Sequence, residues 1–333
     1  MPQPTASSAS YLVTGGAGFI GSHLTERLLA RGERVLVLDD LSTGRLANLS
    51  AVASHPGLEF QQGSVTDRPL VAALVARSER VIHLAAAVGV RLIVDEPVRT
   101  LETNIHGTEV VLVECARRRT PVFVASSSEV YGKGSRCPFR EDDDVLLGPT
   151  TKSRWSYAAS KRVDEFLALS YHRERGLPAR VGRFFNTVGP RQVGQYGMVL
   201  PRFIEQALAG GPITVYGDGS QSRAFAHVAD VVDSVVALMD APDAAGQVFN
   251  IGGTEEVTIR ALAERVRAIV DPKVEIRHVT YEEAYGGGFE DLGRRVPDTS
   301  RLLRVAGRTP ARTLDEILRD TVLHLRSERP DGR

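Results

Sequence analysis

The sequence predicts an α/β protein built on a doubly wound parallel sheet, with a smaller mixed α/β region attached. Three observations predict it. Short apolar runs alternate with helix-period stretches through the first half of the chain. A glycine-rich turn, TGGAGFIG over 14–21, lies between the first apolar run and the first helical stretch. The second half changes character and is rich in Gly, Pro and loops, as in AGGPITVYGDGS.

Each element follows from its local pattern. YLVTG (11–15) reads as a strand and 19–32 as a helix closed by Gly32. RVLVLDD (34–40), 58–60, 80–86, 121–128 and 179–186 read as further strands. Helical stretches at 69–78, 97–118 and 157–175 separate them, the last ending at Gly176. Strands alternating with helices imply a parallel sheet. Helices at 200–210, 228–240 and 258–270 lie among the later loops. The expected division is a large unit over 1–186, rejoined near 228–251, and a smaller substrate unit from 187–227 and 252–333.

Bulk properties narrow the function. The 333 residues suffice for two domains' worth of core. Lys+Arg and Asp+Glu are both 41, so the net charge is zero, which gives no electrostatic case for nucleic acid or an anionic membrane as partner. Only Cys115 and Cys137 are present, too few for a disulfide scaffold and in keeping with a reducing, cytoplasmic setting. MPQPTASSAS has neither the basic nor the apolar region of a signal peptide, so none is expected. The eight His are scattered and neither Cys has a C-x-x-C partner, so no metal site is expected.

Two constellations carry chemistry. Gly15, Gly18 and Gly21 are spaced by three between strand and helix, where backbone can approach a pyrophosphate. Asp39, at the end of the second strand, is placed to accept from a ribose hydroxyl, which favours NAD over NADP. Ser64 and Val65 follow the third strand beside the adenine position, and Leu84, Ala85 and Ala86 close the fourth with small side chains. The second constellation is RWSYAASKRVDEF (154–166), with Tyr157 and Lys161 four apart and so on one helix face. Such a pair is common on surface helices as a ring beside a solvated charge. It is also a proton acceptor in waiting, because a cation beside a phenol favours the ionised form. The pair alone leaves both readings open.

TGGAGFIG, HLAA (83–86), SSSEVYG (126–132), YAASK (157–161) and RFFNTVGP (183–190) occur in this order. Together they resemble the extended short-chain dehydrogenase/reductase superfamily, with its Rossmann-type fold. YGDGSQSRAFAHVADVV and RRVPD resemble its nucleotide-sugar branch of 4-epimerases, 4,6-dehydratases and decarboxylases, and the likeness spans 10–325. The resemblance makes Tyr157 the catalytic base, Lys161 the residue that binds the nicotinamide ribose and Ser127 the partner of the sugar 4-hydroxyl. It implies NAD as cofactor, held by Gly15, Gly18, Phe19, Ile20, Asp39, Ser64, Val65, Leu84, Ala85, Ala86 and Asn104. It implies a UDP-sugar as partner, met by Ser127, Ser128, Glu129, Asn186, Thr187, Arg191, Val215, Arg223 and Arg295. It further implies a homodimer through the helices matching 97–118 and 157–175.

Within that branch, Ser128–Glu129 stands where dehydratases carry Asp–Glu, so dehydration ranks low. SSSEVYG is close to the Thr-Ser-Glu motif of UDP-glucuronate decarboxylases. Many of those carry an Arg in a DGRVV segment, where this chain has Met198 in YGMVLPRF. AAAVGVRLIVDEP (85–97) resembles a loop of hexose and hexuronate 4-epimerases, and Gly89–Val90 leaves room for a turning ring. The expected function is an NAD-dependent UDP-sugar 4-epimerase converting UDP-glucuronate to UDP-galacturonate. Ser127, Ser128, Thr187 or Arg191 would hold the carboxylate. UDP-glucuronate decarboxylase is the alternative, followed by UDP-glucose 4-epimerase. A non-catalytic NAD sensor is disfavoured by the intact Tyr157, Lys161 and Ser127.

Overall fold

In the computed structural model, which describes residues 10–88, 96–134, 136–194, 198–280, 282–283 and 293–329, the apolar runs become strands and the periodic stretches helices. The chain begins with β1 (Ser10–Thr14), α1 (Phe19–Ala30), β2 (Arg34–Asp39) and β3 (Leu58–Gln62). Next come α2 (Arg68–Ala76) and β4 (Arg80–His83). A short helix, α3 (Pro97–Leu101), runs through a π turn (Glu102–His106) into α4 (Gly107–Arg118). β5 (Val122–Ser127), α5 (Arg154–Arg175) and β6 (Ala179–Phe184) follow. The second half carries β7 (Thr187–Val188), α6 (Val199–Leu208), β8 (Ile213–Tyr216), β9 (Ser222–Ala224) and β10 (Ala226–His227). After α7 (Val228–Asp240) and β11 (Val248–Ile251) come β12 (Glu256–Thr258), α8 (Ile259–Val270) and β13 (Ile276–Val279). β14 (Arg294–Arg295), α9 (Ser300–Ala306) and α10 (Leu314–Ser327) complete the described elements.

Seven strands form one sheet in the order β11-β6-β5-β4-β1-β2-β3, and every neighbouring pair is parallel. Both faces are covered. α1, α7 and α9 pack on one face through Leu24, Leu28, Val231 and Leu302. α2, α4 and α5 pack on the other through Leu74, Val111, Leu112 and Ala168. Tyr11, Leu12 and Val13 of β1 are fully buried, which is why this strand reads as unbroken apolar sequence. Strand order reverses between β1 and β4, so the crevice at the carboxyl ends of the strands opens there.

Local signals end the helices where the sequence predicts. Gly32 and Gly176 adopt φ of +81° and +66°, a left-handed backbone that glycine reaches without a Cβ clash. Three of the boundary differences from the sequence reading bear on the site. β4 stops at His83, and 84–88 leave the sheet. The helix expected over 97–118 is broken by the π turn, which carries Asn104. The Asn104 amide accepts from Ala87 N at 2.8 Å and donates to Ala87 O and Ser160 Oγ, both at 3.2 Å. α5 begins at Arg154, earlier than Tyr157.

A third core holds the second half together, with Phe203 and Ile204 of α6, Leu262 of α8 and Ile317 of α10. Here β8 pairs with β13, and β9 lies between β12 and β14. No helix of the described residues is long and apolar enough to cross a membrane. Gly89 and Val90 lie outside the described residues.

His83 ties the sheet to α4. Its Nδ1 is 2.7 Å from Thr14 Oγ1 and its Nε2 3.1 Å from Thr108 Oγ1. Burial, assisted by the charge of Lys161, pushes its pKa down to about 3. The folded chain therefore keeps His83 neutral while the unfolded chain protonates it near ~6.5. Because the unfolded state binds the extra proton, stability rises with pH between about 3 and 6.5 and is lost as pH falls through that window. This group alone contributes a slope of about 1.4 kcal/mol per pH unit there. Urea unfolding at pH 7 and pH 5 should show a smaller loss in His83→Gln than in the wild type; an equal loss refutes the assignment.

Candidate active site

A cavity of about 470 Å³ lies at the carboxyl ends of the strands, walled by the sheet loops and by the second half of the chain. One end is built for a dinucleotide. Gly15, at φ +72°, begins the turn after β1, and a Cβ there would stand 2.8 Å from Ala85 N. A Cβ on Gly21 would run into Gly15 O, so turn and helix pack backbone on backbone. Gly18, Phe19, Ile20, Val65, Leu84, Ala85 and Ala86 line this end. Asp39 lies at the end of β2 and is buried; its carboxylate accepts from Ala17 N at 2.9 Å and Leu41 N at 2.8 Å. Burial raises its pKa, and those two N–H donors oppose the rise. A wall of backbone and small side chains ending in a fixed acceptor suits a dinucleotide with a free ribose hydroxyl.

The other end carries Tyr157 and Lys161, from the first two turns of α5, with side chains aimed inward. The Tyr157 hydroxyl hydrogen-bonds the Ser127 side chain at the end of β5. Burial pushes the Tyr157 phenol above its ordinary value; Ser127 pulls it down, and the charges of Glu129 and Asp164 add to the rise. Lys161 Nζ donates to Asp164 Oδ2 at 3.1 Å, and both residues are buried. Lys161 thus serves a carboxylate on its own helix, which the Tyr–Lys spacing does not reveal.

Glu129 follows Ser127 and Ser128 in a 3-10 turn, where its N–H donates to Ser127 Oγ at 3.2 Å. Arg295 Nη1 stands 2.7 Å from one carboxylate oxygen and Arg154 Nη2 3.5 Å from the other. Burial alone would raise Glu129, but the charges of Arg295, Arg154 and Arg223 hold it below its ordinary value. Ser128, Asn186, Thr187 and Arg223 line the same space. Thr187 Oγ1 and Arg295 Nε are buried there without a protein partner, a polar pair suited to a polar ligand.

Four sequence-assigned residues lie off the cavity wall. Ser64 turns to Thr66, 2.8 Å away, and Gly63 takes its place on the wall. Asn104 is fully buried and acts by holding Ala87, which does line the cavity. Val215 points into the third core, and its neighbour Tyr216 faces the cavity, as strand alternation requires. Arg191 donates to both oxygens of Glu26, at 2.6 and 2.8 Å, and to Ser22 Oγ at 3.0 Å, so it is anchored to α1 and does not line the cavity. The sequence reading missed Arg154, Arg202, Tyr216 and Gln221, which all line the cavity. Only Arg154 had a legible signal, since it precedes Tyr157 by three positions and shares its helix face. Among the described residues no group of His, Cys, Asp and Glu is arranged to hold a metal.

Residues 11–252 match the NAD dependent epimerase/dehydratase family. The UDP-N-acetyl-alpha-D-glucosaminuronate decarboxylase of Bacillus cytotoxicus is 39% identical over 312 residues, covering 93% of this chain and 96% of that protein. UDP-glucuronic acid decarboxylase 3 of Arabidopsis thaliana is 35% identical over 92% of this chain and 85% of its own length. A solved UDP-N-acetylglucosamine 4-epimerase of Methanobrevibacter ruminantium superposes with a TM-score of 0.88 at 29% identity, covering 97% of this chain and 100% of that one. The expectation of a 4-epimerase is overturned here: curated relatives at 35–39% identity over most of the chain are hexuronate decarboxylases by name. Met198 and the 85–97 loop carried the epimerase expectation, and the SSSEVYG motif carried the decarboxylase alternative. With NAD as its cofactor, the chain belongs to the NAD dependent epimerase/dehydratase family.

Proposed function

We propose that the chain decarboxylates a UDP-linked hexuronate, UDP-N-acetylglucosaminuronate or UDP-glucuronate, to the UDP-pentose. The observation that carries this reading is the 39% identity to a hexuronate decarboxylase over 93% of the chain. The cavity supports it, because three arginines gather around one carboxylate beside Tyr157, a surplus of positive charge for an anionic sugar.

NAD, held at the Gly15–Asp39 end, would supply a reversible hydride acceptor for C4. Tyr157 takes the proton from O4, and Ser127 keeps the hydroxyl in line through its bond to the same phenol. Lys161 offers an ammonium donor to the cofactor ribose. With a ketone at C4, the C6 carboxylate belongs to a β-keto acid. The C5–C6 bonding pair moves into the C4 carbonyl as an enolate while carbon dioxide departs. A proton from solvent then adds at C5, and Tyr157 gives its proton back to O4. The net change consumes one proton and releases one carbon dioxide.

NAD-loaded protein given each hexuronate and followed by NMR should yield a UDP-pentose with an equal amount of carbon dioxide. A C4-inverted hexuronate without carbon dioxide refutes the reading. We also propose a homodimer, supported by the outward Val98, Val163 and Phe166 of α3 and α5; sedimentation of a monomer at micromolar concentration overturns it.

A further inference from the structure

We propose that Arg154 recognises the C6 carboxylate of the sugar and sets the preference for a hexuronate over a hexose, an assignment that rests on the reading above. The cavity holds several arginines, which come from different elements of the chain. Arg223 and Arg295 are register partners on β9 and β14, side by side on the wall formed by the second half of the chain. Two adjacent guanidiniums suit a doubly charged diphosphate. Arg154 comes from α5, one turn ahead of Tyr157 on the same helix face, at the end where the sugar reacts.

The grip on Arg154 differs from that on Arg295. Arg295 meets Glu129 at 2.7 Å, the length of a full charge-assisted hydrogen bond. Arg154 stands 3.5 Å from the other oxygen, with its guanidinium 5.4 Å from the Trp155 ring centroid and its side chain 13% exposed. It is packed in place on the cavity wall, at a longer reach from Glu129 than Arg295 has. Among the described residues, several other cations near the cavity are directed elsewhere, Arg99 to Glu96 among them. Arg191 is bound to Glu26, and Lys161 to Asp164. Arg202 lies 3.9 Å over the Tyr216 ring and donates to Thr214 O. Met198 lines the wall without a charge. Glu129 then gains a role as well. Two carboxylates sharing Arg154 repel one another, and that repulsion is relieved as one leaves as carbon dioxide.

The test compares NAD-loaded wild type, Arg154→Met and Arg154→Lys. Calorimetry gives the affinities for UDP, a UDP-hexose and the UDP-hexuronate, and carbon dioxide release gives KM. Arg154→Met should lose about 30-fold or more in affinity and KM for the hexuronate, keep UDP and UDP-hexose within about twofold, and regain part of the loss as Arg154→Lys. Equal losses for all three ligands, or an unchanged hexuronate preference, overturn the assignment. The two readings fail separately. A wild type that prefers hexuronate through Arg154 but releases no carbon dioxide overturns decarboxylation and upholds this assignment. Release of carbon dioxide with a preference indifferent to Arg154→Met does the reverse.

Discussion

Tyr157→Phe should lower kcat by about 10²- to 10⁴-fold, the usual contribution of a positioned general base, while UDP affinity and unfolding stay near wild type. The ring is buried against α5 and the end of β5, so Phe keeps the packing and removes only the hydroxyl. The pH profile gives a second readout. As a base, Tyr157 works deprotonated, and burial has already raised its pKa. The Ser127 hydrogen bond opposes that rise, so Ser127→Ala should move the acid limb of kcat/KM to higher pH. A phenylalanine variant with wild-type turnover removes Tyr157 from the chemistry. An unmoved limb in Ser127→Ala removes Ser127 from its tuning.

Arg183→Leu should destabilise the fold by about 3–5 kcal/mol, because it strands a buried carboxylate. Arg183 and Glu165 are both buried and meet in two parallel bonds, Nε to Oε1 at 2.8 Å and Nη2 to Oε2 at 2.7 Å. Ser126 Oγ donates to the same Oε1 at 2.6 Å, and Arg183 Nη1 donates to Tyr131 OH at 2.8 Å and Glu141 O at 3.0 Å. The Tyr131 hydroxyl donates a hydrogen bond to Asn250 Oδ1 at 2.7 Å, and burial pushes its pKa up to about 12. This network joins β5, β6 and β11 to α5, the helix that presents Tyr157 and Lys161. Denaturant unfolding checks the effect. Arg183→Leu combined with Glu165→Leu should cost much less than the two single changes added, since no buried charge is then left alone. Additive losses would show that the pair does not act as one unit.

The shifted boundaries and the residues found off the cavity wall have different physical origins. Asn104 was assigned to the cofactor, whereas its amide holds the backbone of Ala87 from inside a π turn. Its position in a helical stretch cannot show the widened turn, because that turn answers to a contact with a distant loop. Val215 faces the core and its neighbour Tyr216 the cavity, since the facing of a strand is decided by what packs on it. Arg191 looked like a substrate cation because nothing in RFFNTVGPRQ reveals that Glu26, on the first helix, holds it.

The sequence by itself determined the doubly wound sheet, the dinucleotide turn with Asp39 at its strand end, and the Tyr157–Lys161 pair on one helix face. All three rest on short-range rules: apolar period, glycine backbone freedom and the four-residue repeat of a helix. Only the tertiary structure decided which charges share the cavity. It brought Arg154, Arg223 and Arg295 around Glu129, gave Lys161 to Asp164, and sent Arg191 to Glu26. Ion pairs form between whichever segments packing brings within a few ångströms, and burial then fixes their strength. Neither is encoded in the neighbourhood of any single residue.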